Sequence, residues 1–455
     1  MDIFDLIILG GGPAGYLAAQ RASQGGLKTA IFEKSSLGGV CLNEGCIPSK
    51  ALLNSAKIYE YAAHSEKYGI SAENVKFDHA AAVARKDKVV NQLVKGIAFT
   101  MKRENITVIS SLGVIQGKCP QGFKITAEGH EYQAKRLLIA TGSQPVLPPI
   151  PGLNEGVEKG FCLTNREVLD LAEIPENLVI IGGGVIGLEM AAYFNAVGSH
   201  VTVIEMLEKI AGTTDSDVTE VLYKNYKKKG VNFKLSSSVV EIGDNFVAFE
   251  EKGEKKTIEA SKVLVSIGRR PVLDGFGLDT IGVKTEGNAI ITDEKLRTNV
   301  EGVYAAGDVN GKSMLAHTAY REAEVAVNNM LGIDDTMNYN AVPSVIYTNP
   351  EVAVVGETLE SARQKGINAV AVNVSMRMSG RYMAEVEGGN GIAKLIVDAD
   401  NNCLLGVHLA GSYVSEIIYG AAMMIETKMK IKNIKKIVFP HPTVCEVIRE
   451  ALFEL

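Results

Sequence analysis

Twice in this chain an apolar run ends in three consecutive glycines, and that repetition restricts the fold more than any other feature. Phe4–Leu9 leads into Gly10-Gly11-Gly12-Pro13-Ala14-Gly15, the alanine-rich stretch Tyr16–Ser23, a second apolar run Thr29–Phe32, and Glu33. Leu178–Ile181 leads into Gly182-Gly183-Gly184-Val185-Ile186-Gly187, then Leu188–Val197, Val201–Ile204 and Glu205. Gly10 to Glu33 and Gly182 to Glu205 both span 23 positions. Apolar run, glycine turn, helical stretch, apolar run and acid predict a βαβ unit, present in two copies.

Such a unit is built to hold a dinucleotide. The first glycine (Gly10, Gly182) allows a tight turn, and the second (Gly12, Gly184) admits a pyrophosphate to the positive end of the helix. The third (Gly15, Gly187) lets helix and strand pack closely. Glu33 and Glu205 are placed to accept hydrogen bonds from ribose hydroxyls. Glu205 is followed by Met206 and Leu207, with no arginine at hand, so the second site is expected to prefer NAD(H) to NADP(H). The glycines alone leave open which loop takes a flavin.

Between and after the two units the chain reads coarsely. Residues 51–105 are expected to be helical, and Pro145, Pro148, Pro149 and Pro151 mark a linker. Residues 231–265 alternate like strands. Gly268-Arg269-Arg270-Pro271 marks the exit from the second unit, and a mixed α/β segment runs from about Val342. The expected fold class is α/β: two Rossmann-like dinucleotide-binding domains plus a C-terminal α+β interface domain. With 455 residues and 46% hydrophobic composition, the chain can bury several cores. A net charge of −6 without a basic run argues against nucleic acid. Leu6–Gln20 is too short and too rich in glycine to span a membrane, and Asp2 and Asp5 before it are unlike a secretory signal. A cytoplasmic protein is expected.

Six cysteines are too few for a disulfide scaffold. Two of them, in Gly38-Gly39-Val40-Cys41-Leu42-Asn43-Glu44-Gly45-Cys46-Ile47-Pro48-Ser49-Lys50, follow the first βαβ unit directly. Their spacing suggests two thiols on one face of a helical turn, within reach of one another. A helix N-terminus nearby would lower a thiol's pKa. A structural disulfide does not suit a chain without a secretory signal. A zinc site needs further ligands, and none is nearby, so no metal is expected. A redox-active pair beside a nucleotide explains both the placement and the glycines. Cys119, Cys162 and Cys403 stand alone and read as structural thiols.

This cysteine segment resembles the redox motif of the flavin-dependent pyridine nucleotide–disulfide oxidoreductases, and its Ile47-Pro48-Ser49-Lys50 ending is most similar to the dihydrolipoamide dehydrogenases among them. Ala140-Thr141-Gly142-Ser143 resembles the family's flavin-domain crossover, and Tyr304-Ala305-Ala306-Gly307-Asp308 its second flavin motif. Pro343–Gly356 resembles the start of its interface domain, and His441-Pro442-Thr443-Val444-Cys445-Glu446 its C-terminal base motif. The resemblance covers the whole chain. It implies FAD on the first loop and NAD on the second. It implies a division into 1–148 with 272–338 (FAD), 149–271 (NAD) and 339–455 (interface), and a homodimer. It also implies a resting Cys41–Cys46 disulfide, with Cys46 nearer the flavin, and a base, His441, oriented by Glu446. Lys50 would pair with Glu189 beside the flavin, and Asp308 would contact the ribityl chain. Thr141, Gly142, Ser143, Gly268 and Ala316 complete the implied cofactor-binding set.

The implied reaction oxidises protein-bound dihydrolipoamide, carried by a lipoyl-bearing acyltransferase or a glycine cleavage carrier protein. Three positions depart from the family pattern: Phe439 stands where a histidine is frequent, Asn349 likewise, and Cys445 where serine is common. Rival activities fit less well. Glutathione-type reductases carry Val-Pro-Lys-Lys after the second cysteine and arginines for NADPH, mercuric reductases add a cysteine pair near the C-terminus, and NADH oxidases of this type use a single cysteine. A non-catalytic binding subunit would not need Cys41, Cys46, His441 and Glu446 together.

Overall fold

The computed structural model describes residues 2–455. Its contacts divide the chain into two compact units. The first takes the segments up to Ala51, Val83–Val146 and Gly268–Asn338, and the second takes Leu52–Ala82, Leu147–Ile267 and Tyr339–Leu455. Residues 52–82 therefore go with the second unit.

In the first unit, strand Asp2–Leu9 lies between Thr29–Phe32 and His130–Ile139, all parallel, with Thr107–Ile109 at the outer edge. Val303–Ala305 adds in parallel beside Leu137–Ile139. The lower part of His130–Ile139 instead carries two antiparallel strands, Gly122–Ala127 and Val114–Cys119. Thr29–Phe32 and Val303–Ala305 are buried at every residue. That is why these strands are continuous apolar runs and do not alternate: both faces of the sheet are covered. One face packs Phe4, Phe32, Phe123, Leu137, Phe276 and Leu278. Helix Pro13–Gln24 buries Ala14, Ala18, Ala19 and Ala22 and packs on helix Ala316–Met330, whose Ala319, Ala323 and Ala326 are also buried. Small side chains let the two helices approach closely. Ser143–Pro145 and Arg269–Pro271 pair as a short antiparallel ladder, so the chain's exit from this unit and its return lie side by side.

The second unit contains the parallel sheet Asn232–Lys234, His200–Ile204, Asn177–Ile181, Lys262–Val265, Cys162–Leu163, in that order. Helix Val185–Ala196 buries Leu188, Met190, Ala191, Tyr193 and Phe194 almost completely. Three antiparallel strands follow, Ser237–Ile242, Phe246–Glu251 and Glu254–Glu259, as the alternation over 231–265 predicts. Residues 52–82 are held here by His79, whose ring nitrogens reach the Tyr193 hydroxyl and the Leu171 carbonyl, each at 2.9 Å. The C-terminal portion is an antiparallel sheet ordered Ser344–Ile346, Glu351–Gly356, Cys403–Gly411, Ile392–Asp398, Ala369–Ser375. Helices Val414–Glu426 and Glu446–Phe453 pack on it over a core that includes Leu395, Val407, Leu409, Val447 and Leu452. The expected class, two parallel nucleotide-type sheets plus a C-terminal α+β portion, is the one observed. No helix among the described residues is long and apolar enough to cross a membrane.

Candidate functional site

The two glycine loops are built alike, and the three glycines in each answer different demands. Gly10 has φ +109° and Gly182 φ +106°. A Cβ on Gly10 would sit 2.2 Å from the Ala140 carbonyl oxygen, and on Gly182 2.4 Å from that of Ser266. A Cβ on Gly15 or Gly187 would strike the carbonyl of the first glycine in its own loop, at 1.8 and 2.3 Å. These four are forced by the turn and the helix–strand approach. Gly12 and Gly184 are different. Their backbone (φ −74° and −76°) suits any residue. A Cβ on Gly12 would come no nearer than 3.8 Å to another atom, and one on Gly184 would meet nothing within 4 Å. Each caps a 12-residue helix whose first N–H groups receive no side-chain cap. The protein's own packing does not require glycine there, whereas close approach of a phosphate to those N–H groups does. Both loops thus fit a dinucleotide.

Glu33 and Glu205 do more than the sequence suggests. Glu33 Oε2 accepts from Gly11 N–H at 2.7 Å and Oε1 from Ser35 N–H at 2.8 Å. Glu205 Oε2 accepts from Gly183 N–H at 2.6 Å and Oε1 from Leu207 N–H at 2.8 Å. Each acid ties the end of the second strand back to its glycine loop.

The cysteine segment is not one helix. Gly39–Glu44 forms one turn and a half, Gly45 breaks it, and Cys46–Ala63 starts a new helix. The break corrects the expected arrangement. In an unbroken helix five positions turn about 500°, leaving the two side chains about 140° apart. The reversal at Gly45 brings them together. Both are free thiols in the structure, and they hydrogen-bond to each other. The pKa expectation is corrected as well. That hydrogen bond, then burial, then the charge of Cys46 push the Cys41 thiol far above its ordinary value, against the charge of Lys50. The segment is seated on the first glycine loop: Gly38 N–H donates to the Gly11 carbonyl at 2.8 Å. A Cβ on Gly39 would lie 2.6 Å from Gly12 Cα. Asn43 braces the turn by donating to the Leu37 and Gly39 carbonyls at 3.1 and 2.9 Å.

Around the crossover, Arg269 Nε donates to Ser143 Oγ at 2.8 Å, and Ser143 Oγ donates to Asp308 Oδ2 at 2.5 Å. Burial raises the Asp308 carboxyl above its usual range, opposed by the Ser143 bond and the Arg269 charge. Thr141 Oγ1 donates to the Val272 carbonyl at 2.7 Å, and the Gly142 carbonyl accepts from Val272 N–H at 2.9 Å. Gly268 has φ +123°, and its carbonyl accepts from Val146 N–H at 3.0 Å. Ala316 is the first residue of its helix, again without a side-chain cap. Sequence reasoning missed Glu322, which is fully buried and holds Gly307 N–H at 2.6 Å and Asn310 Nδ2 at 2.9 Å. It fixes the turn that presents Asp308. A glutamate in mid-helix carries no signal of this in the sequence. Arg269 was expected only as part of an exit marker.

In the second unit, His441 Nδ1 lies 2.9 Å from Glu446 Oε1, and Thr443 N–H donates to Glu446 Oε2 at 2.9 Å. The Thr443 bond first, and His441 second, hold the Glu446 carboxyl below the usual range. The His441 ring is three-quarters exposed. Glu189 is buried and accepts from Tyr347 N–H at 3.0 Å. The structure thus joins His441 with Glu446 in one unit and Cys41 with Cys46 in the other. Lys50 lies in the first unit and Glu189 in the second.

Residues 4–323 match the family model described as pyridine nucleotide-disulphide oxidoreductase, and residues 342–452 match that family's dimerisation domain. The mitochondrial dihydrolipoyl dehydrogenase of Pisum sativum is 38% identical over 462 residues, covering 99% of this chain and 91% of its own. The leghemoglobin reductase of Glycine max is 37% identical, with coverages of 99% and 87%. Among solved structures, the Cu(II) complex of the HOCl-induced flavoprotein disulfide reductase RclA from Escherichia coli superposes with a TM-score of 0.88 at 25% identity, covering all of both chains. Taken with the two glycine loops and the cysteine turn seated on the first, these likenesses show that the chain belongs to the pyridine nucleotide–disulphide oxidoreductases, flavoprotein disulfide reductases with a C-terminal dimerisation domain.

Proposed function

We propose that the protein is a dihydrolipoyl dehydrogenase, oxidising protein-bound dihydrolipoamide through Cys41 and Cys46 and delivering the electrons to NAD⁺. The observation that carries this reading is the bond from Gly38 N–H to the Gly11 carbonyl, which seats the thiol pair on the first glycine loop. The Ile47-Pro48-Ser49-Lys50 ending and the names of the relatives support lipoamide as the substrate. Gly12, the helix start after it, Glu33 and Asp308 would hold FAD, which would supply two-electron redox chemistry, and Gly184 and Glu205 would hold NAD, which would supply the hydride acceptor. In this reading the domains are 1–148 with 272–338, 149–271 and 339–455. The last pairs two copies, and the partners are a lipoyl-bearing acyltransferase or a glycine cleavage carrier protein.

The residues divide the work as follows. The resting pair is a disulfide. Glu446 occupies His441 Nδ1, which leaves Nε2 to take the proton of a substrate thiol. The substrate thiolate attacks Cys41 Sγ, the Cys41–Cys46 bond breaks, and Cys46 leaves as a thiolate. The second substrate thiol attacks the first substrate sulfur, closing the cyclic disulfide and releasing Cys41. The pair then holds two electrons.

A reductase of another disulfide is the second reading, favoured by Phe439 where the family often has histidine. Turnover of dihydrolipoamide with NAD⁺, set against glutathione disulfide with NADPH, separates the two. Rapid NADH formation with dihydrolipoamide is expected. NADPH-driven reduction of glutathione disulfide with no lipoamide activity would overturn the proposal.

A further inference from the structure

The carbonyl of the middle glycine is gripped in both nucleotide loops, and the second grip leads out of the nucleotide sheet. In the first loop the Gly11 carbonyl accepts from Gly38 N–H, 27 positions later. In the second the Gly183 carbonyl accepts from Ala211 N–H at 2.8 Å, 28 positions later. The backbone repeats there too: Gly38 and Gly39 have φ +100° and +57°, Ala211 and Gly212 +59° and +56°. Beyond this point the copies diverge. The first runs into the cysteine turn. The second runs into helix Ser216–Lys228, which packs on the C-terminal strands Ile392–Asp398 and Cys403–Gly411.

Residues 206–215 therefore form a strap along the second loop, held at both ends. At one end Gly183 is fixed through its N–H by Glu205 and through its carbonyl by Ala211. Ala211 sits in the left-handed region, which its Cβ disfavours, so this conformation needs support from its surroundings. Thr214 N–H donates to the Ala211 carbonyl at 3.1 Å. The next residue, Asp215, caps the helix by accepting from Asp217 N–H at 3.0 Å. At this end Lys394, on strand Ile392–Asp398, brings Nζ to 2.9 Å from Asp215 and 2.7 Å from Asp217. Lys394 and Asp215 are both buried. Two buried opposite charges hold each other to one geometry, because losing one strands the other. We propose that Lys394 is a positioning residue for NAD: by pinning Asp215 it holds the strap whose Ala211 N–H fixes Gly183, and so keeps the second loop shaped for the pyrophosphate before the nucleotide arrives. Preorganisation of that kind lowers the cost of binding. This role rests on the reading that the second loop takes NAD, and it couples the C-terminal sheet to the nucleotide site.

The test is isothermal titration of the oxidised holoenzyme with NAD⁺, alongside steady-state kinetics and thermal melts. Lys394→Met removes the cation. The double variant Lys394→Met with Asp215→Asn keeps the helix cap and leaves no unpaired buried charge, so it reads the strap even where the single variant folds poorly. Leu395→Ala, one position along the strand, opens a cavity in the C-terminal core and leaves the lysine in place. In both lysine variants the dissociation constant should rise at least about fivefold, the lower end of ordinary coupling between sites. The KM for NAD⁺ should rise in step, and kcat at saturating NAD⁺ should change less than KM. Leu395→Ala should lower the melting temperature and keep the parental NAD⁺ affinity. Parental affinity in the double variant overturns the proposal. So does an equal loss of affinity in Leu395→Ala, which would make the effect one of general stability. If the parent holoenzyme binds no NAD⁺, the nucleotide reading of the second loop itself fails, whatever the variants do.

Discussion

Gly182 and Gly184 sit two residues apart in the second nucleotide loop, yet an alanine at each should have opposite consequences. At Gly184 the backbone is ordinary and an added methyl meets nothing within 4 Å. The folded state loses nothing and the unfolded chain loses some freedom. Gly184→Ala should therefore change stability by less than about 1 kcal/mol, in the stabilising direction. The melting temperature should move by no more than about 4 °C. At Gly182 the added Cβ would lie 2.4 Å from the Ser266 carbonyl oxygen, with φ at +106°. The backbone strain alone costs about 1–3 kcal/mol, and relief of the clash requires strand movement. NAD⁺ affinity should fall in Gly184→Ala even though its structure is the less disturbed of the two. In Gly184→Ala the methyl stands where a pyrophosphate must approach the helix start, and the dissociation constant should rise at least about tenfold, or 1.4 kcal/mol. The flavin absorbance of the purified variant reports whether the rest of the protein is intact. The assay is isothermal titration of the oxidised holoenzyme with NAD⁺, alongside thermal melts followed by circular dichroism. Parental NAD⁺ affinity in Gly184→Ala, or a parental melting temperature in Gly182→Ala, would refute the division of roles among the glycines.

Replacing Glu205 with serine and Met206 with arginine should shift preference toward NADPH, but with weaker binding overall, because the bonds to Gly183 and Leu207 go with the carboxylate; NADPH turnover equal to NADH in the parent would reject the role of Glu205. Cys41→Ser should leave Cys46 as a thiolate and give the holoenzyme a long-wavelength absorbance that Cys46→Ser lacks, and equal spectra would reject that assignment. His441→Gln should lose roughly 10²–10⁴ in rate. Co-expressed with Cys41→Ser, it should recover about a quarter of parental activity, if each site draws His441 from the other subunit of a two-fold dimer; no recovery despite heterodimers would place base and cysteines in the same subunit. Lys394 Nζ bridges Asp215 and Asp217 at 2.9 and 2.7 Å, and the bond to Lys394 depresses the Asp217 carboxyl. A depressed carboxyl stabilises the fold above its unfolded pKa, and that stability is lost as pH falls through the lower folded value. Melting temperature should therefore drop on acidification below about pH 4 in the parent. It should drop less in Lys394→Met, where two carboxylates have lost their cation; equal slopes would contradict the pairing.

What the sequence disclosed follows from how local each constraint is. The glycine loops were legible because a turn, a helix start and a closing acid all fall within one short stretch and repeat at the same spacing. The C-terminal His441 and Glu446 were legible for a similar reason, five positions apart across one turn. The cysteine geometry was less so: nothing in Cys41–Cys46 announces that Gly45 reverses the chain, and a continuous helix would have separated the thiols. The tying of Glu33 and Glu205 to Gly11 and Gly183 depends on where a second strand ends relative to a loop 22 residues earlier. The roles of Glu322 and Arg269 depend on pairings across many residues that no periodicity encodes. Residues 51–105 read as helical throughout, but the helix that begins at Cys46 ends at Ala63 and the next begins only at His79. The place of residues 52–82 in the second unit rests on long-range contacts, among them His79 with Tyr193 and Glu60 with Lys229.

The ladder formed by Ser143–Pro145 and Arg269–Pro271 bears on how this chain is born. Residues 147–267 leave and return at neighbouring points, so this stretch can acquire its own parallel sheet with both ends free of strain. The strand Val303–Ala305, by contrast, reaches the ribosomal exit more than a hundred residues after its neighbour Leu137–Ile139. Until then one side of that buried strand lacks its parallel partner. During synthesis the intervening sheet should be complete while the first sheet still waits for its last strand, and the exposed edge is then the part of the nascent protein most in need of a chaperone. An exchange of residues 147–267 for another segment whose ends meet at the same spacing would leave that order of events intact, which makes this ladder the natural seam for grafting a different nucleotide preference onto the protein.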